Sequence, residues 1–268
     1  MKIFVCIKQV PGVAEVKIDK ETGLLVREGI PSIMNPVDKN ALELALYLKE
    51  INEGIEIISI SMGPPQAEEV LRESLAMGCD KAYLLTDRRF AGADTLATSH
   101  TLSLAIKTLI KNSPNEKYLV ICGNQAIDGD TAQVGPELAE ELNIPQITYV
   151  QKVEVAGDKL IAESVFRADE MVILETKLPA LITVLKELNI ARFPTISGIM
   201  EAFDNKEVMY LNADDVKANN KKIGLDGSQT QVWKIFVPEQ KGDFIRLSGS
   251  VEAMAKDLCK YLKEDKVL

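Results

Sequence analysis

Histidine is almost missing from this sequence, because His100 is the only one in 268 residues. A single histidine nearly excludes Ser-His and Cys-His catalysis and zinc sites built from several histidines. We expect His100 itself to lie on a helix surface. Demanding chemistry would therefore have to come from a bound cofactor, so we predict no catalytic side chain and no metal site.

Basic residues are also few, with 31 Lys and Arg against 40 Asp and Glu and a formal net charge of -9. Nucleic-acid binding needs clustered Lys and Arg to neutralise phosphates, so we predict no nucleic-acid partner. No apolar run approaches the roughly 20 residues of a membrane span. The opening residues, MKIFVCIKQVPG, are typical of a buried first strand and not of a secretion signal.

The four cysteines are widely scattered, and no pair has the spacing of metal ligands. They are Cys6, Cys79, Cys122 and Cys259. Each lies in an apolar segment, which is typical of buried, reduced thiols in a cytoplasmic protein.

Short apolar runs alternate along the chain with amphipathic stretches. The apolar runs predict strands at 2–8, 55–63, 81–86, 118–123 and 180–185, and the amphipathic stretches predict helices at 36–51, 65–78, 93–111 and 136–143. Residues 146–166 alternate and turn at Gly157 and Asp158, so they predict a β-hairpin. Continuous apolar strands alternating with helices indicate a mostly parallel sheet covered on both faces.

The pattern loosens after about residue 204, and a further amphipathic helix is predicted at 251–265. We therefore expect residues 1–223 to form a nucleotide- or flavin-binding α/β domain. Residues 224–268 would form a C-terminal arm that ends in a helix and packs on a partner.

Polar loops follow four of the predicted strands. They contain Cys6 to Gln9, SMGPP (61–65), TDRRFAGADTLATS (86–99) and CGNQAIDGDTAQVGP (122–136). In an open parallel sheet, ligands bind beyond the carboxyl ends of the strands. The fold class we predict is therefore α/β, a doubly wound, mostly parallel sheet of the adenine-nucleotide-binding type with an added β-hairpin and a C-terminal arm.

The loop GNQAIDGDTAQVGP (123–136) has the glycines of a phosphate site but no lysine. Asp130 and Gln133 resemble a capping box, which would start a helix near residue 131. Pro136 conflicts with that start, so the helix either kinks or begins at about residue 134. Both alternatives leave backbone amides between Gly129 and Val134 that can bind an anion. Asp128 and Asp130 would then face away from the anion or contact a ribose or base, unless both merely cap turns.

Five segments carry a resemblance to a known family. They are CIKQVP (6–11), MNPVDKNALELAL (34–46), SMGPPQAEEVLRESLAMGCDKAYLL (61–85), GNQAIDGDTAQVGP (123–136) and LNIARFPTISGIMEA (188–202). In this order they resemble the beta subunit of electron-transfer flavoprotein, over the whole chain but most weakly beyond about residue 204. The resemblance implies a heterodimer with an alpha subunit that carries an electron-shuttling FAD.

The resemblance also implies which residues contact a nucleotide at this edge of the sheet. These are Cys6 through its backbone, Asn35, Pro36, Val37, Asp38, Met62, Gly123, Asn124, Gln125, Ala126, Ile127, Asp128, Gly129, Asp130, Thr131, Ala132, Gln133 and Val134. In ordinary members of the family the nucleotide is AMP.

A second branch of the family replaces AMP with a further FAD and performs electron bifurcation. There NADH supplies two electrons, of which one goes to ferredoxin or flavodoxin and the other through the alpha-subunit FAD to a dehydrogenase. The segment DRRFAGADTLATS (87–99) resembles that branch. The resemblance implies that Asp94, Thr95 and Thr98 lie near the flavin or the nicotinamide, although a helix cap at Asp94 is an alternative. Arg88 and Arg89 would either neutralise phosphates or lie on the surface.

The segment ARFPTISGIM (191–200) resembles the loop by which the family recognises its dehydrogenases. The resemblance implies that Ile196, together with Met200, binds the partner, and a single apolar anchor of this kind fits hot-spot energetics. Ordinary members continue with lysines, whereas this chain has Glu201 and Asp204. We therefore expect a different dehydrogenase or a stable complex that depends on apolar contact.

Two alternatives remain open on the sequence alone. One is an ordinary electron-transfer subunit with structural AMP. The other is a stand-alone ATP-binding regulatory domain on the same kind of sheet, since fold does not determine function.

Overall fold

The structure is a computed structural model that describes residues 1–12, 31–111, 116–167, 170–233 and 244–267. The chain divides into two compact units, and the described residues up to Trp233 belong to the first. The second unit contains the described residues 244–267. Among the described residues no helix is both long enough and apolar enough to cross a bilayer.

Eleven strands form in the described part of the first unit. In chain order they are β1 (Lys2–Cys6), β2 (Gln9–Pro11), β3 (Ser32–Met34), β4 (Glu56–Met62), β5 (Lys81–Leu85), β6 (Tyr118–Gly123), β7 (Gln146–Ala156), β8 (Lys159–Arg167), β9 (Glu170–Lys177), β10 (Ala180–Val184) and β11 (Val208–Leu211). Nine of them form one sheet in the order β11-β5-β4-β1-β6-β10-β7-β8-β9, and β2 pairs with β3. The sheet is parallel from β11 to β7, and β8 and β9 are antiparallel additions.

Seven α-helices form among the described residues. They are α1 (Pro36–Ile51), α2 (Glu68–Met77), α3 (Thr95–Ile110), α4 (Val134–Leu142), α5 (Ile196–Asp204), the short α6 (Gly224–Gly227) and, in the second unit, α7 (Val251–Glu264). Buried side chains of α1, α2 and α5 join one apolar cluster, and those of α3 and α4 join a second. The two faces of the sheet therefore each have a helical layer, as predicted.

Alternation along β1 explains the two clusters. Ile3 and Val5 belong to one cluster, whereas Phe4 and Cys6 belong to the other. Successive side chains of a strand point to opposite faces, so a strand buried on both faces must be apolar throughout. The continuous apolar runs identified in the sequence are the result of this burial.

The order of the strands creates a topological switch point between β1 and β6. The chain passes from β1 to β4 and β5 on one side, and then crosses to β6 and β10 on the other. Loops leaving β1 and β6 in opposite directions open a crevice at the carboxyl ends of these two strands, where ligands of such sheets bind.

The predicted parallel sheet and its hairpin are confirmed. The helix predicted at 65–78 begins with a 3-10 turn at Pro65–Ala67 and ends at Gly78, where φ is 126°. Four strands were not predicted: β2, β3, β9 and β11. Each is short or lies at a sheet edge, and half-exposed edge strands lack the continuous apolar pattern of the buried ones.

Residues beyond the predicted boundary at residue 223 still form hydrogen bonds with the first unit, which extends to Trp233. The Leu225 amide donates to the Ala91 carbonyl at 3.0 Å. The Gln229 amide donates to Asp94 Oδ2 at 2.7 Å. Residues 234–243 of the predicted arm lie outside the described residues, and its packing on a partner stays a prediction.

Candidate functional site

A cleft with a volume of about 370 Å³ opens at the switch point between β1 and β6. Its lining includes these predicted nucleotide contacts: Cys6, Asn35, Asp38, Met62, Thr95, Thr98, Gly123, Asn124, Gln125, Ala126, Gly129, Asp130, Thr131, Ala132, Gln133 and Val134. Other predicted site residues do not line it: Pro36, Val37, Asp94, Ile127 and Asp128. The cleft thus brings together side chains from loops that are far apart in the sequence.

Asn35 connects the start of α1 to the loop after β6. It occupies the N-cap position of α1, but its side chain makes no capping hydrogen bond. Its Nδ2 instead donates to Asp38 Oδ1 and to the Gln125 carbonyl, each at 3.0 Å. Its Oδ1 accepts from the Ile127 amide at 3.2 Å. The side chain is therefore used to fix the cleft wall and not the helix end.

Asp38 is a buried carboxyl group at the back of the cleft. Its Oδ2 accepts from the Lys8 amide at 2.8 Å. Burial raises the pKa of Asp38 to about 7, although hydrogen bonds from Asn35, Lys8 and Gly123 lower it. The pKa is high because removal from water penalises the charged form more than these bonds favour it.

Two glycines allow the backbone to pack closely at this point. A Cβ at Gly123 would collide with Asp38 Oδ1, and a Cβ at Gly135 would collide with Thr183 Cγ2. Real Cβ atoms do not approach neighbours this closely. Glycine is therefore needed at both ends of the loop for reasons of space.

The loop between β6 and α4 is held by its own contacts. The Asp130 amide donates to the Ala126 carbonyl at 2.8 Å, and the Gln125 side chain donates to Asp130 Oδ1. Asp130 and Ala132 have φ of 53° and 55°. Positive φ is uncommon for residues other than glycine and costs conformational energy, which the surrounding contacts offset.

The helix α4 begins at Val134, so Pro136 lies in its first turn, in agreement with the later of the two predicted starts. The predicted capping box is wrong. Gln133 takes the N-cap position without a side-chain bond, and Asp130 lies in the left-handed region. The proline explains this, because a start near residue 131 would have placed its ring against the preceding helical turn.

The amides of Thr131, Ala132, Gln133, Val134 and Gly135 donate no hydrogen bond to any residue that the structure describes. The Gln133 backbone is right-handed and follows the left-handed Ala132. This alternation points successive amides to one side and forms an anion-binding concavity. Together with the helix N-terminus it can bind a phosphate without a lysine.

Both aspartates of the loop have partners of their own. Lys8 Nζ donates to Asp128 Oδ1 at 2.7 Å, and Asp130 accepts from Gln125. Lys8 lines the cleft. The sequence places it in the loop after the first strand, but we predicted no contact for it, because a lone lysine after a strand has no motif. The carboxylates therefore shape the loop, while the amides remain directed outward.

The other end of the cleft is formed by the start of α3. Thr95 Oγ1 donates to Glu137 Oε1 at 3.1 Å, and Thr98 lies one turn further along. Burial raises the pKa of Glu137, while hydrogen bonds from Thr95 and Ser99 lower it. Phe90 and Leu102 add apolar surface at this end.

Asp94 caps α3 and also fixes the segment after α6. Its Oδ1 accepts from the Ala97 amide at 3.0 Å, and its Oδ2 accepts from the Gln229 and Thr230 amides at 2.7 Å and 2.9 Å. Burial raises the pKa of Asp94, but these hydrogen bonds together outweigh burial. The pKa of Asp94 therefore lies below its ordinary value. The capping alternative is therefore present in the structure, and contact of Asp94 with a ligand stays a prediction.

Other predicted residues lie outside the cleft. Arg89 forms ion pairs with Asp87 and Asp214 at 2.8 Å and 2.9 Å, so two carboxylates already neutralise its guanidinium. His100 on α3 accepts or donates a hydrogen bond with Glu141 at 2.9 Å. Among the described residues no group of His, Cys, Asp or Glu could hold a metal ion.

Three of the four cysteines are buried, as predicted: Cys6, Cys79 and Cys122. The prediction is wrong for Cys259, which is exposed on α7. All side chains of α7 are at least partly exposed, so the apolar pattern of this helix did not indicate burial within the chain.

A second surface surrounds the start of α5. Thr195 caps the helix by accepting from the Gly198 amide at 3.0 Å. Ile196 and Met200 are 81% and 60% exposed, and Ile190 and Phe193 are 95% and 89% exposed. Large apolar side chains that cluster in contact with water are typical of protein-binding surfaces. We call this cluster, with Phe203, the apolar face.

Charged side chains hold the loop that carries the apolar face. Arg192 Nε and Nη2 donate to the two carboxylate oxygens of Glu43 at 2.8 Å and 2.9 Å, and Arg192 also pairs with Glu50. Beside it, Asn40 Nδ2 donates to the Asn189 carbonyl at 2.8 Å. Because Glu43, Glu50 and Asn40 all lie on α1, the same helix supports this loop and the Asp38 end of the cleft.

The sequence is similar to those of known proteins over its full length. Residues 22–216 match the family model described as "Electron transfer flavoprotein domain". The chain is 50% identical to the "Electron transfer flavoprotein subunit beta" of Thermoanaerobacterium thermosaccharolyticum over 100% of both chains, and 52% identical to that of Clostridium acetobutylicum over 99% of each. It is 46% identical to the "Caffeyl-CoA reductase-Etf complex subunit CarD" of Acetobacterium woodii over 100% of both chains. The chain belongs to the electron transfer flavoprotein family and matches its beta subunits along their whole length.

Proposed function

We propose that this chain is the beta subunit of an electron-bifurcating flavoprotein and binds FAD in the cleft at the switch point. In this proposal the FAD takes electrons from NADH and passes them to ferredoxin or flavodoxin and, through the FAD of an alpha subunit, to a partner dehydrogenase. The observation that carries the proposal is the row of free amides from Thr131 to Gly135 at the start of α4. Such a row suits the phosphates of a nucleotide.

The residues of the cleft fit a nucleotide in three respects. Glycine at position 123 lets the main chain pass close to Asp38, which leaves room for a ligand in front of it. The amides after Asp130 would hold phosphate oxygens. The polar wall around Asn35 and Gln125 would face the ribose or the base, which need donors and acceptors at fixed positions.

The extent of the cleft favours a dinucleotide over AMP. Its lining continues past the phosphate-binding amides to Phe90, Thr95, Thr98 and Leu102. This end combines apolar surface with two hydroxyl groups, which suits a flat ring system with polar edges. AMP alone would leave it uncovered.

When bound, FAD would accept an electron pair and release single electrons, which is chemistry that the side chains of this chain lack. The chain would contribute orientation and shelter. Thr95 donates its proton to Glu137, so its oxygen can accept a hydrogen bond from a ligand. Ile60, Met62 and Leu102 would exclude water from the reacting end.

The apolar face is the part of the described surface best suited to the partner dehydrogenase. We propose that Ile196 inserts into an apolar pocket of that partner and that Met200 lies beside it. Glu201 and Asp204, which are exposed on the same helix, would favour a partner with basic residues around its pocket. The alpha subunit would pack against the C-terminal arm.

The proposal is tested by purifying the chain with its alpha subunit and counting the released cofactors. Two FAD per heterodimer would support it. One FAD with one AMP would favour an ordinary electron-transfer subunit, and a stable monomer that binds ATP would favour a regulatory domain. Each result excludes the other two.

Bifurcation itself requires a separate measurement. The heterodimer, the partner dehydrogenase with its oxidant, and ferredoxin are mixed with NADH, and ferredoxin reduction is followed by absorbance. Reduction only when the oxidant is present is the expected result. Oxidation of NADH without any reduction of ferredoxin would refute this part of the proposal.

A further inference from the structure

Two of the buried cysteines face each other across neighbouring strands at the bottom of the cleft. Cys6 ends β1 and Cys122 lies near the end of β6, and the two residues are direct partners in the parallel register. Both line the cleft, where they are 9% and 5% exposed. The two cysteines are more than a hundred positions apart in the sequence, so no local pattern predicts that they are neighbours in the fold.

The strand geometry allows these thiols to be joined. Both side chains belong to the same apolar cluster and therefore point to the same face of the sheet. Neighbouring strands lie about 4.8 Å apart, and disulfides span Cα separations of roughly 4.4–6.8 Å. The Cys6 thiol is near enough to Cys122 to raise the pKa of the Cys122 thiol. The two thiols therefore lie beside each other on adjacent strands.

We propose that Cys6 and Cys122 form a dithiol site at the floor of the cleft, which a hydroperoxide entering the cleft oxidises to a disulfide. In the first step the sulfur of Cys6 attacks the peroxide oxygen, the O–O bond breaks, and the leaving alkoxide or hydroxide takes the thiol proton. In the second step the sulfur of Cys122 attacks the sulfenic acid on Cys6, and water leaves with the remaining proton. The two thiols lose two electrons, and the peroxide gains them.

The assignment of the first step to Cys6 follows from position. Both thiols lie at the floor of the cleft, and Cys6 is the more exposed of the two. The neighbouring Cys6 thiol and burial raise the pKa of the Cys122 thiol, so Cys122 is the poorer first nucleophile. The same burial makes the reaction slow and protects the pair from mild oxidants.

The remaining cysteines lack this arrangement. Cys79 is completely buried away from the cleft, and burial raises the pKa of its thiol to about 12. Cys259 lies on α7 in the other unit. They serve as internal controls, because a general sensitivity of thiols would affect Cys259 first.

The experiment uses the full-length chain without added nucleotide. The chain is treated with hydrogen peroxide, unfolded in N-ethylmaleimide and digested, and the peptides are identified by mass spectrometry with and without a reductant. We expect a linked pair of peptides that contain Cys6 and Cys122 and that separate on reduction, with Cys79 still alkylated. Full alkylation of both cysteines after peroxide treatment, or linkage of either to Cys259, would overturn the proposal.

Two variants sharpen the result. In Cys122→Ser, Cys6 should be oxidised to sulfinic acid without a crosslink, because its resolving partner is missing. In Cys6→Ser, Cys122 should remain alkylatable at the peroxide concentration that links the wild type. Oxidation of Cys122 in Cys6→Ser that is as extensive as the oxidation of Cys6 in Cys122→Ser would contradict the assigned order.

A last experiment distinguishes failure of the dithiol site from failure of the proposed function. Only this experiment rests on the proposed function. Added FAD or AMP should slow formation of the disulfide at least several-fold by covering the cleft floor. If the disulfide forms at an unchanged rate although a nucleotide is bound, the nucleotide lies elsewhere and the proposed function fails. The dithiol site is then still supported by the linked peptides.

Discussion

The loop at the start of α4 and the loop at the start of α5 use opposite means to present a binding surface. The first directs main-chain amides outward, from Thr131 to Gly135, and uses its side chains to hold itself in place. The second presents side chains, such as Ile196 and Phe193, and uses a charged clamp on α1 to hold its main chain. Binding by main-chain amides should tolerate most side-chain substitutions but not an added Cβ that displaces the backbone. Binding by exposed side chains should be lost when those side chains are truncated.

The comparison predicts the largest effect for a single methyl group at Gly123. In Gly123→Ala the new Cβ collides with Asp38 Oδ1. We expect the free energy of unfolding to fall by about 2 kcal/mol, as is usual for overpacking. The nucleotide content of the purified protein should fall at least roughly tenfold, because the loop must move.

Gly129→Ala is the matched control, since a Cβ there meets nothing within 4 Å. It should change the free energy of unfolding by less than about 0.5 kcal/mol and keep the wild-type nucleotide content. Thermal unfolding and the absorbance of released nucleotide measure both quantities. Equal behaviour of the two variants would refute the idea that space at Gly123 matters.

An effect of comparable size, but on partner binding alone, is expected on the side-chain surface. Ile196→Ala removes most of an 81% exposed anchor without disturbing a packed core. A hot-spot residue costs about 2 kcal/mol on truncation, so we expect the apparent KM for the partner dehydrogenase to rise roughly thirtyfold. The nucleotide content should not change.

Ile173→Ala is the control for this variant, because Ile173 is 72% exposed but lies on the edge strand β9. It should leave the apparent KM within about twofold of the wild type. If both isoleucine variants weaken the partner equally, the apolar face has no special role.

The two regions also differ in how far the sequence could predict them. Buried strands and amphipathic helices followed from periodicity, because burial on one face or on both dictates the spacing of apolar residues. The late start of α4 was one of the two alternatives that Pro136 left open, the other being a kink. The residues that line the cleft followed in part, since loops at one sheet edge must be neighbours.

Other features could not be predicted because they depend on three-dimensional contacts. Asn35 has the residue type and position of an N-cap, yet its side chain bonds to residues about 90 positions away. The Arg192 clamp and the Cys6–Cys122 pair likewise join residues more than a hundred positions apart. Local patterns carry no information on such pairs, and the short edge strands have too few buried residues to give a pattern at all.

A smaller effect is expected from pH, again on the main-chain side. Asp38 has a folded-state pKa of about 7 against an ordinary value of 3.8. Between about pH 4 and pH 7 the unfolded chain has released this proton while the folded chain still keeps it. Stability therefore falls as pH rises through this window, and becomes independent of Asp38 above it.

The variant Asp38→Asn should lack this slope. We expect the stability of the wild type relative to the variant to fall by about 1–2 kcal/mol between pH 5 and pH 7, measured by urea unfolding. Asp94→Asn is the control of opposite sign, because the folded-state pKa of Asp94 is lowered and its contribution is lost only as pH falls below its ordinary range. If the free energy of unfolding of Asp38→Asn depends on pH as steeply as that of the wild type, a group other than Asp38 causes the dependence.

The smallest effect is expected from the clamp behind the apolar face. Arg192→Met removes the two bonds to Glu43 and the pair with Glu50 but leaves Ile196 in the sequence. Partly exposed ion pairs contribute little each, so we expect the apparent KM for the dehydrogenase to rise only roughly fivefold, with kcat unchanged. Arg167→Met, which removes a 4.0 Å contact with Glu170 and a contact with the Phe166 ring, should have no effect on this KM.

A double variant decides whether the clamp acts through the apolar face. If Arg192 only positions the loop that presents Ile196, its loss should matter little once the anchor is gone. The variant with both Arg192→Met and Ile196→Ala should then have nearly the same KM as Ile196→Ala alone, since coupled residues are not additive. Fully additive effects would mean that Arg192 contacts the partner directly. In that case the second surface would depend on charge as well as on apolar side chains, and raising the salt concentration would weaken binding in Ile196→Ala as strongly as in the wild type.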